Sequence, residues 1–450
     1  MQQFSQKSIL VLGAGLSSSS LIRYLLEHSV DLNWKVKVVD RDLELAKQKI
    51  AEHENGEAAS FNATDAEQRR PEIEKCDLVI SMLPARFHYE VALDCIELKT
   101  DLITPSYISE EMRALDQQAK DAGIVIMNEI GVDPGLDHMS AMKIIHSVQG
   151  KGGKITSFKS FCGGLIAPES DDNPWNYKFT WNPRNVVLAG QGGAASFIRH
   201  GRFKYIPYNR LFGRLDNLSV EGFGDFVGYP NRDSLSYRKT YGLDDIPTIF
   251  RGTLRRPGYC EAWNVFIELG MTDDTYQMTV QENITPRSFM NSFLPYHATK
   301  TVEEKLKEFL REDRMHLYHR FEWLGVFNDE PLIKIENPTP AQALQEILVF
   351  KLSLNDGDKD MLVMIHEFVY EINGKKYQIS SHMVNIGEDQ VYTSMSNTVG
   401  LPAAICAKMI LTGELKTKGV TLPVQPEVYT PILKELESFD IRFVEKEIEL

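Results

Sequence analysis

Ile9-Leu10-Val11-Leu12-Gly13-Ala14-Gly15-Leu16-Ser17-Ser18 is the stretch that decides the fold. An apolar run ends at two glycines one residue apart, and a helical segment follows with Leu21, Ile22, Leu25 and Leu26 on one face. Glycine permits a tight turn there and lets backbone N–H groups approach a pyrophosphate at the helix N-terminus. The third position of the G-x-G-x-x-G fingerprint is Ser18, so the match is partial. An ordinary strand–helix turn has the same local signature, and the surrounding pattern has to decide between the two.

Working outward, Val36, Val38 and Val39 form a second strand that ends at Asp40, and a charged helical segment follows over 43–53. A weaker strand is read at 58–61, a clear one at 77–81, a helix at 89–98, a strand at 102–104, a helix at 109–122 and a strand at 124–127. Apolar strands alternating with amphipathic helices predict a parallel sheet covered on both faces. The fold class is therefore α/β, a Rossmann-type doubly wound sheet, and Gly13 and Gly15 sit at its phosphate turn.

The texture changes after Asp133-Pro134-Gly135. Strands at 155–161 and 177–181 alternate apolar and polar residues, as in an antiparallel sheet with one wet face. Asn373-Gly374 between alternating runs at 361–372 and 375–384 is a hairpin signal. A charged helical region spans 299–352, and an Ala-, Ile- and Met-rich helix covers 394–411. The expected division is a dinucleotide-binding domain at 1–132, an α/β substrate domain at 133–298 and 353–393, and a helical subdomain at 299–352. Residues 394–450 are expected to pack back on the first domain.

Over 450 residues, 49 Lys and Arg face 63 Asp and Glu, for a net charge of −14. That balance disfavours nucleic-acid partners, whose phosphates need a positive surface. Cys76, Cys95, Cys162, Cys260 and Cys406 are odd in number and form no C-x-x-C pair, which points to a reducing compartment and no zinc ribbon. No apolar run approaches the roughly 18 residues of a membrane span, and residues 1–8 lack a signal-peptide core. The expectation is a cytoplasmic protein without metal.

Asp40 stands where a carboxylate accepts hydrogen bonds from an adenosine ribose, which favours NAD, while its neighbour Arg41 suits the 2′-phosphate of NADP. Leu83-Pro84 follows the fourth strand and Thr104-Pro105-Ser106-Tyr107 the fifth, where such sheets bind ligands. Asp133-Pro134-Gly135 reads equally as punctuation before a helix. Cys162 precedes Gly163-Gly164, and an isolated cysteine is more often a buried small hydrophobe. Arg232, Arg251 and Arg255 carry the planar fork that suits carboxylates, although most arginines occupy solvated faces. His316 and His319 lack the companions of a metal site.

These segments resemble the saccharopine reductase family, the glutamate-forming saccharopine dehydrogenases. The specific ones are Asn128-Glu129-Ile130-Gly131-Val132-Asp133-Pro134-Gly135-Leu136-Asp137-His138 and Phe161-Cys162-Gly163-Gly164-Leu165. Ser106-Tyr107-Ile108-Ser109, Tyr229-Pro230-Asn231-Arg232-Asp233-Ser234 and Arg251-Gly252-Thr253-Leu254-Arg255 extend the likeness along the chain. The resemblance implies a Rossmann variant joined to an α/β substrate domain with a helical subdomain. It places Gly15, Leu16, Ser17 and Ser18 at the pyrophosphate, Asp40 and Arg41 at the ribose, and Leu83, Pro84, Val132 and Asp133 near the nicotinamide. It places Ser106, Tyr107, Asp133, Arg232, Thr253, Leu254 and Arg255 on the amino-acid substrate, with Cys162 beside the reacting centre. Fungal members lack an acidic residue where Asp40 stands, so NADP and NAD both stay open.

The implied reaction is NAD(P)-dependent oxidation of L-saccharopine to L-glutamate and L-2-aminoadipate 6-semialdehyde, or the reverse imine reduction, in lysine metabolism. Arg232 and Arg255 would hold carboxylates, Asp133 the amine, and Cys162 or Tyr107 would move a proton or position water. The family also implies a homodimer. The competing readings are a related imine-reducing enzyme, such as a carboxynorspermidine or lysine-forming saccharopine dehydrogenase, and a nucleotide sensor without catalysis.

Overall fold

The computed structural model describes residues 5–189, 191–279, 284–331 and 333–450, and divides the chain into two compact units, Met1–Ile155 with Tyr370–Leu450, and Thr156–Val369.

The first unit is built on β1 (Lys7–Leu12), β2 (Trp34–Asp40), β3 (Gly56–Ser60), β4 (Leu78–Ser81), β5 (Asp101–Ile103) and β6 (Val125–Met127). Between and after them lie α1 (Ser19–Leu32), α2 (Leu43–Ile50), α3 (Ala66–Ile73), α4 (His88–Leu98), α5 (Glu110–Ala114), α6 (Asp116–Ala122) and α7 (Leu136–Gly150). Every strand pair in this sheet is parallel, in the order β6, β5, β4, β1, β2, β3. The doubly wound α/β sheet read from the apolar runs is therefore present. Leu10, Leu12, Val39, Val79, Leu102 and Ile126 fill a core beneath α4, α5 and α6.

Two features of this unit depart from the expectation. The helix read at 109–122 breaks at Leu115 into α5 and α6. The break brings Asp116 to the start of α6, where its Oδ1 accepts the Val420 N–H at 3.0 Å. That contact helps dock a seventh strand, Gly419–Thr421, which pairs parallel with β6. Gly419 has φ +95°, and a Cβ there would collide with the Asp116 carboxylate, so the docking needs glycine.

The helix Ser394–Leu411 lies against the first turn of α1 in the same unit. Ser20 N–H donates to Ser396 Oγ at 2.9 Å, and Ser20 Oγ donates to Asn397 Oδ1 at 2.6 Å. A Cβ on Gly400 would sit 2.8 Å from Leu21 N, so the two backbones touch only because that residue is glycine. Asn373 and Gly374, with φ +52° and +78°, turn the strand ending at Ile372 into Lys375–Ile386, and the rings of Tyr370 and Tyr377 stack beside the turn.

The second unit holds β7 (Lys154–Ile166, from its third residue), β8 (Ala195–Arg199), β9 (Arg202–Ile206), β10 (Asp216–Val220), β11 (Gly224–Pro230), β12 (Ile249–Arg255) and β13 (Asp360–Ile372, up to Val369). The order is β10, β11, β12, β7, β13, mixed in direction because β12 and β7 run parallel. The strand expected at 155–161 continues through Gly163-Gly164 to Ile166. Gly163 permits this, since a Cβ there would lie 2.7 Å from Leu254 Cβ and O on β12. The strand expected at 177–181 is absent. Tyr177, Lys178, Phe179 and Thr180 are all buried, so both faces of the segment are covered and the apparent alternation marks no sheet. Helices Tyr259–Leu269, Val302–Arg314, Tyr318–Leu324 and Pro340–Leu352 close over an aromatic core in which Trp175 stacks on Phe266 at 5.7 Å. Among the described residues no helix is long and apolar enough to cross a membrane.

Candidate functional site

In the first unit the carboxyl ends of the strands carry the chemistry. Gly13 leaves β1 with φ +105°, and a Cβ there would press within 3.2 Å of the Met82 carbonyl, so the turn is built for glycine. Its N–H donates to Val39 O at 2.8 Å. The next amide, Ala14 N–H, donates to Asp40 Oδ2 at 2.8 Å. A Cβ on Gly15 would meet nothing within 4 Å, which leaves open space at the entry to α1. Leu16 is 56% exposed beside that space, and Ser17 is half-buried. Ser18 is buried and turns its hydroxyl back onto the Gly15 carbonyl at 2.8 Å. A small residue that satisfies its own hydroxyl locally can replace the third glycine of the fingerprint. A glycine turn, open space above it and a helix start beyond it fit the pyrophosphate of a dinucleotide.

Asp40 ends β2 with Oδ2 on Ala14 N–H, while Oδ1 accepts Asp42 N–H at 3.1 Å. The neighbouring Arg41 is exposed and donates from Nη2 to Asn62 Oδ1 at 3.1 Å. Past β4, Leu83 is half-buried and Pro84 exposed, with the Pro84 carbonyl accepting Phe87 N–H at 3.0 Å.

The loop after β5 and the loop after β6 meet. Tyr107 Oη donates to Asp133 Oδ1 at 2.8 Å, and Tyr107 is 43% exposed. Beneath them lies a pair that the sequence reading did not single out. Glu129 is 3% exposed, its Oε1 accepts Ile108 N–H at 2.9 Å, and its Oε2 lies 2.7 Å from Nε2 of the fully buried His138. Glu129 N–H also donates to Ser106 O at 3.2 Å, so one residue holds the backbone on both sides of Tyr107. Val132 is buried beside Asp133, and the Asp133–Pro134 peptide is cis. The available signal was an acidic residue enclosed between an apolar strand and a glycine loop, with a histidine on the following helix as its partner.

The second unit holds the other residues. Cys162 on β7 and Thr253 on β12 are register partners, and Tyr229 on β11 pairs with Thr253 from the other side. Cys162 is 8% exposed. Burial pushes the thiols of Cys76, Cys260 and Cys406 up to about 12 and raises that of Cys95 well above its ordinary value, so those four stay protonated near neutrality. Arg232 is exposed just past β11 with φ +32°, and its guanidinium has no partner among the described residues. Arg255 is enclosed instead. Its guanidinium lies 5.0, 5.9 and 5.2 Å from the ring centres of Tyr177, Tyr229 and Tyr259, and Nη1 donates to Leu254 O at 2.8 Å. Among the described residues, Arg255 Nε and the Tyr177 hydroxyl have no hydrogen-bond partner. Leu254 is fully buried, backbone included, and its carbonyl is taken by Arg255 Nη1, so the expected contact of Leu254 with a ligand is not open in this structure. Among the described residues, no three His, Cys, Asp or Glu side chains gather as a metal set.

A doubly wound parallel sheet with a glycine turn before its first helix and an acidic residue at the end of its second strand defines a dinucleotide-binding oxidoreductase-type protein. Residues 9–127 match the saccharopine dehydrogenase NADP binding domain, and residues 131–441 match the saccharopine dehydrogenase C-terminal domain. The chain belongs to the saccharopine dehydrogenase family. It is 34% identical to the saccharopine dehydrogenase [NADP(+), L-glutamate-forming] of Pyricularia oryzae, across 98% of this chain and 99% of that protein. The protein of the same name from Saccharomyces cerevisiae is also 34% identical, with the same coverage. The solved apo, histidine-tagged saccharopine dehydrogenase (L-Glu forming) from Saccharomyces cerevisiae superposes with a TM-score of 0.89 at 33% identity, over 98% of this chain and all of that one. Mouse mitochondrial alpha-aminoadipic semialdehyde synthase is 34% identical, but this chain spans 48% of it.

Proposed function

We propose that the protein oxidises L-saccharopine to L-glutamate and L-2-aminoadipate 6-semialdehyde with a nicotinamide dinucleotide, NADP in the names of the Pyricularia and Saccharomyces relatives, and catalyses the reverse reduction. The observation that carries this reading is the Tyr107–Asp133 hydrogen bond, which places a carboxylate and a phenol together beside the strand ends of the dinucleotide fold. The whole-length likeness to L-glutamate-forming enzymes supports it.

Gly13, Gly15, Leu16, Ser17 and Ser18 would hold the pyrophosphate, Asp40 and Arg41 the ribose, and Leu83, Pro84, Val132 and Asp133 the nicotinamide half. The chemistry a bound nicotinamide supplies is acceptance of a hydride from the carbon beside the secondary amine of saccharopine. Water adds to the resulting imine, and collapse of the carbinolamine releases the two products. Asp133 faces the cationic amine and takes part in setting its protonation, with the Tyr107 hydroxyl fixing the carboxylate. Arg232 binds a substrate carboxylate through its exposed fork. Cys162, Thr253, Ser106 and Arg255 complete the substrate contacts, with Leu254 buried between Thr253 and Arg255, and Cys162 is the further candidate for proton transfer.

The reading assigns residues 1–132 to a dinucleotide-binding domain on which 394–450 pack back, 133–298 and 353–393 to a substrate domain, and 299–352 to a helical subdomain. Five free cysteines support a reducing, cytoplasmic setting. The family likeness supports a homodimer, which sedimentation would test. The experiment for the reaction follows absorbance in the reduced-nicotinamide band with purified protein, L-saccharopine, and NAD or NADP in parallel. A saccharopine-dependent rise with glutamate as product is expected. Cofactor binding without any rise would overturn the reading.

A further inference from the structure

His88 opens α4 and is 3% exposed, yet both ring nitrogens meet serine hydroxyls. Ser81, fully buried at the end of β4, lies 3.0 Å from Nδ1. Ser106, half-buried after β5, lies 2.8 Å from Nε2. Among the described residues no carboxylate hydrogen-bonds to this chain of three side chains. Burial lowers the imidazole to about 4, so near neutrality it has one N–H and one lone pair to divide between two serines.

The division follows from which hydroxyl has an alternative. The Ser81 hydroxyl meets no hydrogen-bond partner except His88 among the described residues. Protonation at Nδ1 would leave the Ser81 O–H without an acceptor in a dry site, which is costly. The Nδ1 lone pair therefore takes the Ser81 proton, and Nε2–H donates to Ser106 Oγ. Ser106 Oγ then accepts from the interior, and its own O–H is turned toward the strand ends.

We propose that Ser81, His88 and Ser106 form an oriented hydrogen-bond chain that presents the Ser106 hydroxyl as a donor to a carboxylate oxygen of the amino-acid substrate, with His88 as the positioning residue. The substrate half of this statement rests on the function proposed above. The orientation half rests on the three side chains alone. A serine free to rotate offers a substrate either a donor or a lone pair; one that already accepts from an imidazole N–H offers its proton, as an anion requires.

The test has two arms. Nitrogen NMR of the wild-type protein, with His88 assigned by comparison with His88→Gln, reads the tautomer directly. Nδ1 as the lone-pair nitrogen and Nε2 as the N–H nitrogen is expected; the reverse overturns the orientation. In steady-state kinetics, His88→Phe removes both ring hydrogen bonds. Its KM for saccharopine should rise about 10- to 100-fold, the loss of one hydrogen bond to a charged group, with kcat and cofactor affinity within about threefold of wild type. His88→Gln keeps an amide N–H at the Nε2 position and should recover most of that loss. Equal KM values for His88→Phe and wild type, or equal defects in the two variants, overturn the proposal. If His88→Phe does not fold, the wild-type spectrum still decides the orientation. A wild-type protein that never turns over saccharopine overturns the substrate contact together with the proposed function. The spectrum, judged separately, tells that failure from a wrong orientation.

Discussion

The amide of Ala14 donates to the Asp40 carboxylate across 2.8 Å, joining the first glycine turn to the end of the second strand. In dinucleotide-binding folds of this kind an acidic residue at this strand end takes the adenosine ribose, and the function proposed above gives Asp40 that role. Two unit charges 4 Å apart repel by about 1 kcal/mol in water and about 4 kcal/mol at a partly screened protein surface.

Asp40→Ser, which keeps an acceptor for Ala14 N–H, should therefore raise affinity for NADPH relative to NADH by at least about tenfold, a difference of about 1.4 kcal/mol. Fluorescence titration of the protein with each reduced cofactor measures the ratio. An unchanged ratio would mean that Asp40 does not face the 2′ position.

Tyr107 and Asp133 should act as one unit. Asp133→Ala should lower kcat with saccharopine by about 100-fold or more, the usual scale for losing a proton-handling group, while cofactor affinity stays near wild type. Tyr107→Phe should cost less, and the double variant should be no slower than Asp133→Ala alone. Independent, multiplicative losses would show that the 2.8 Å contact has no part in turnover.

Glu129→Ala should destabilise the fold by about 3 kcal/mol, because it strips a partner from buried His138 and from Ile108 N–H together. Urea unfolding at neutral pH reads this. A loss under about 1 kcal/mol would indicate that the Tyr107 loop is held by other means.

His88 sets a pH dependence of stability. Its ring has an ordinary value of 6.5 in the unfolded chain and is lowered to about 4 by burial in the fold. Between those values the unfolded chain binds the extra proton, so stability is full above 6.5 and falls as pH drops toward 4. The loss reaches about 3 kcal/mol at most. Unfolding curves across this range should show the slope in wild type, and His88→Gln should flatten it by that amount. Identical slopes in the two proteins would contradict a buried neutral ring.

The parallel sheet was legible because its signal is local. Val36, Val38 and Val39, or Leu78, Val79 and Ile80, are apolar runs of strand length between amphipathic helices, and the structure puts strands there. The strand Gly419–Thr421 was not legible. Three residues carry little periodicity, and their place depends on Asp116, some three hundred positions earlier. Tyr177 and Phe179 misled for the opposite reason, since alternation implies a strand only when one face is wet.

The polar groups divided along the same line. Asp40 and the glycine turn sit in a known spacing, and Asp133 lies in a motif with a family likeness. Glu129 and His88 have no such spacing. Their meaning comes from partners that only folding supplies, the Ile108 amide and His138 for one, Ser81 and Ser106 for the other. The enclosure of Arg255 by three tyrosines was equally invisible, because Tyr177, Tyr229 and Tyr259 come from separate stretches of chain.

Gly400 against Leu21, and Gly419 beside Asp116, have a consequence for how this molecule is made. The sheet edge and the helix that seats the first turn of α1 are both supplied by the last quarter of the chain. A ribosome delivers them only after the whole second unit has been synthesised. The nascent N-terminal strands must wait, with their edge at β6 unpaired and the apolar side of α1 uncovered, until translation is nearly complete. The nucleotide-binding half is thus not a cassette that could be transplanted by its first 132 residues, and a ribosome stalled before residue 394 would hold an incomplete fold.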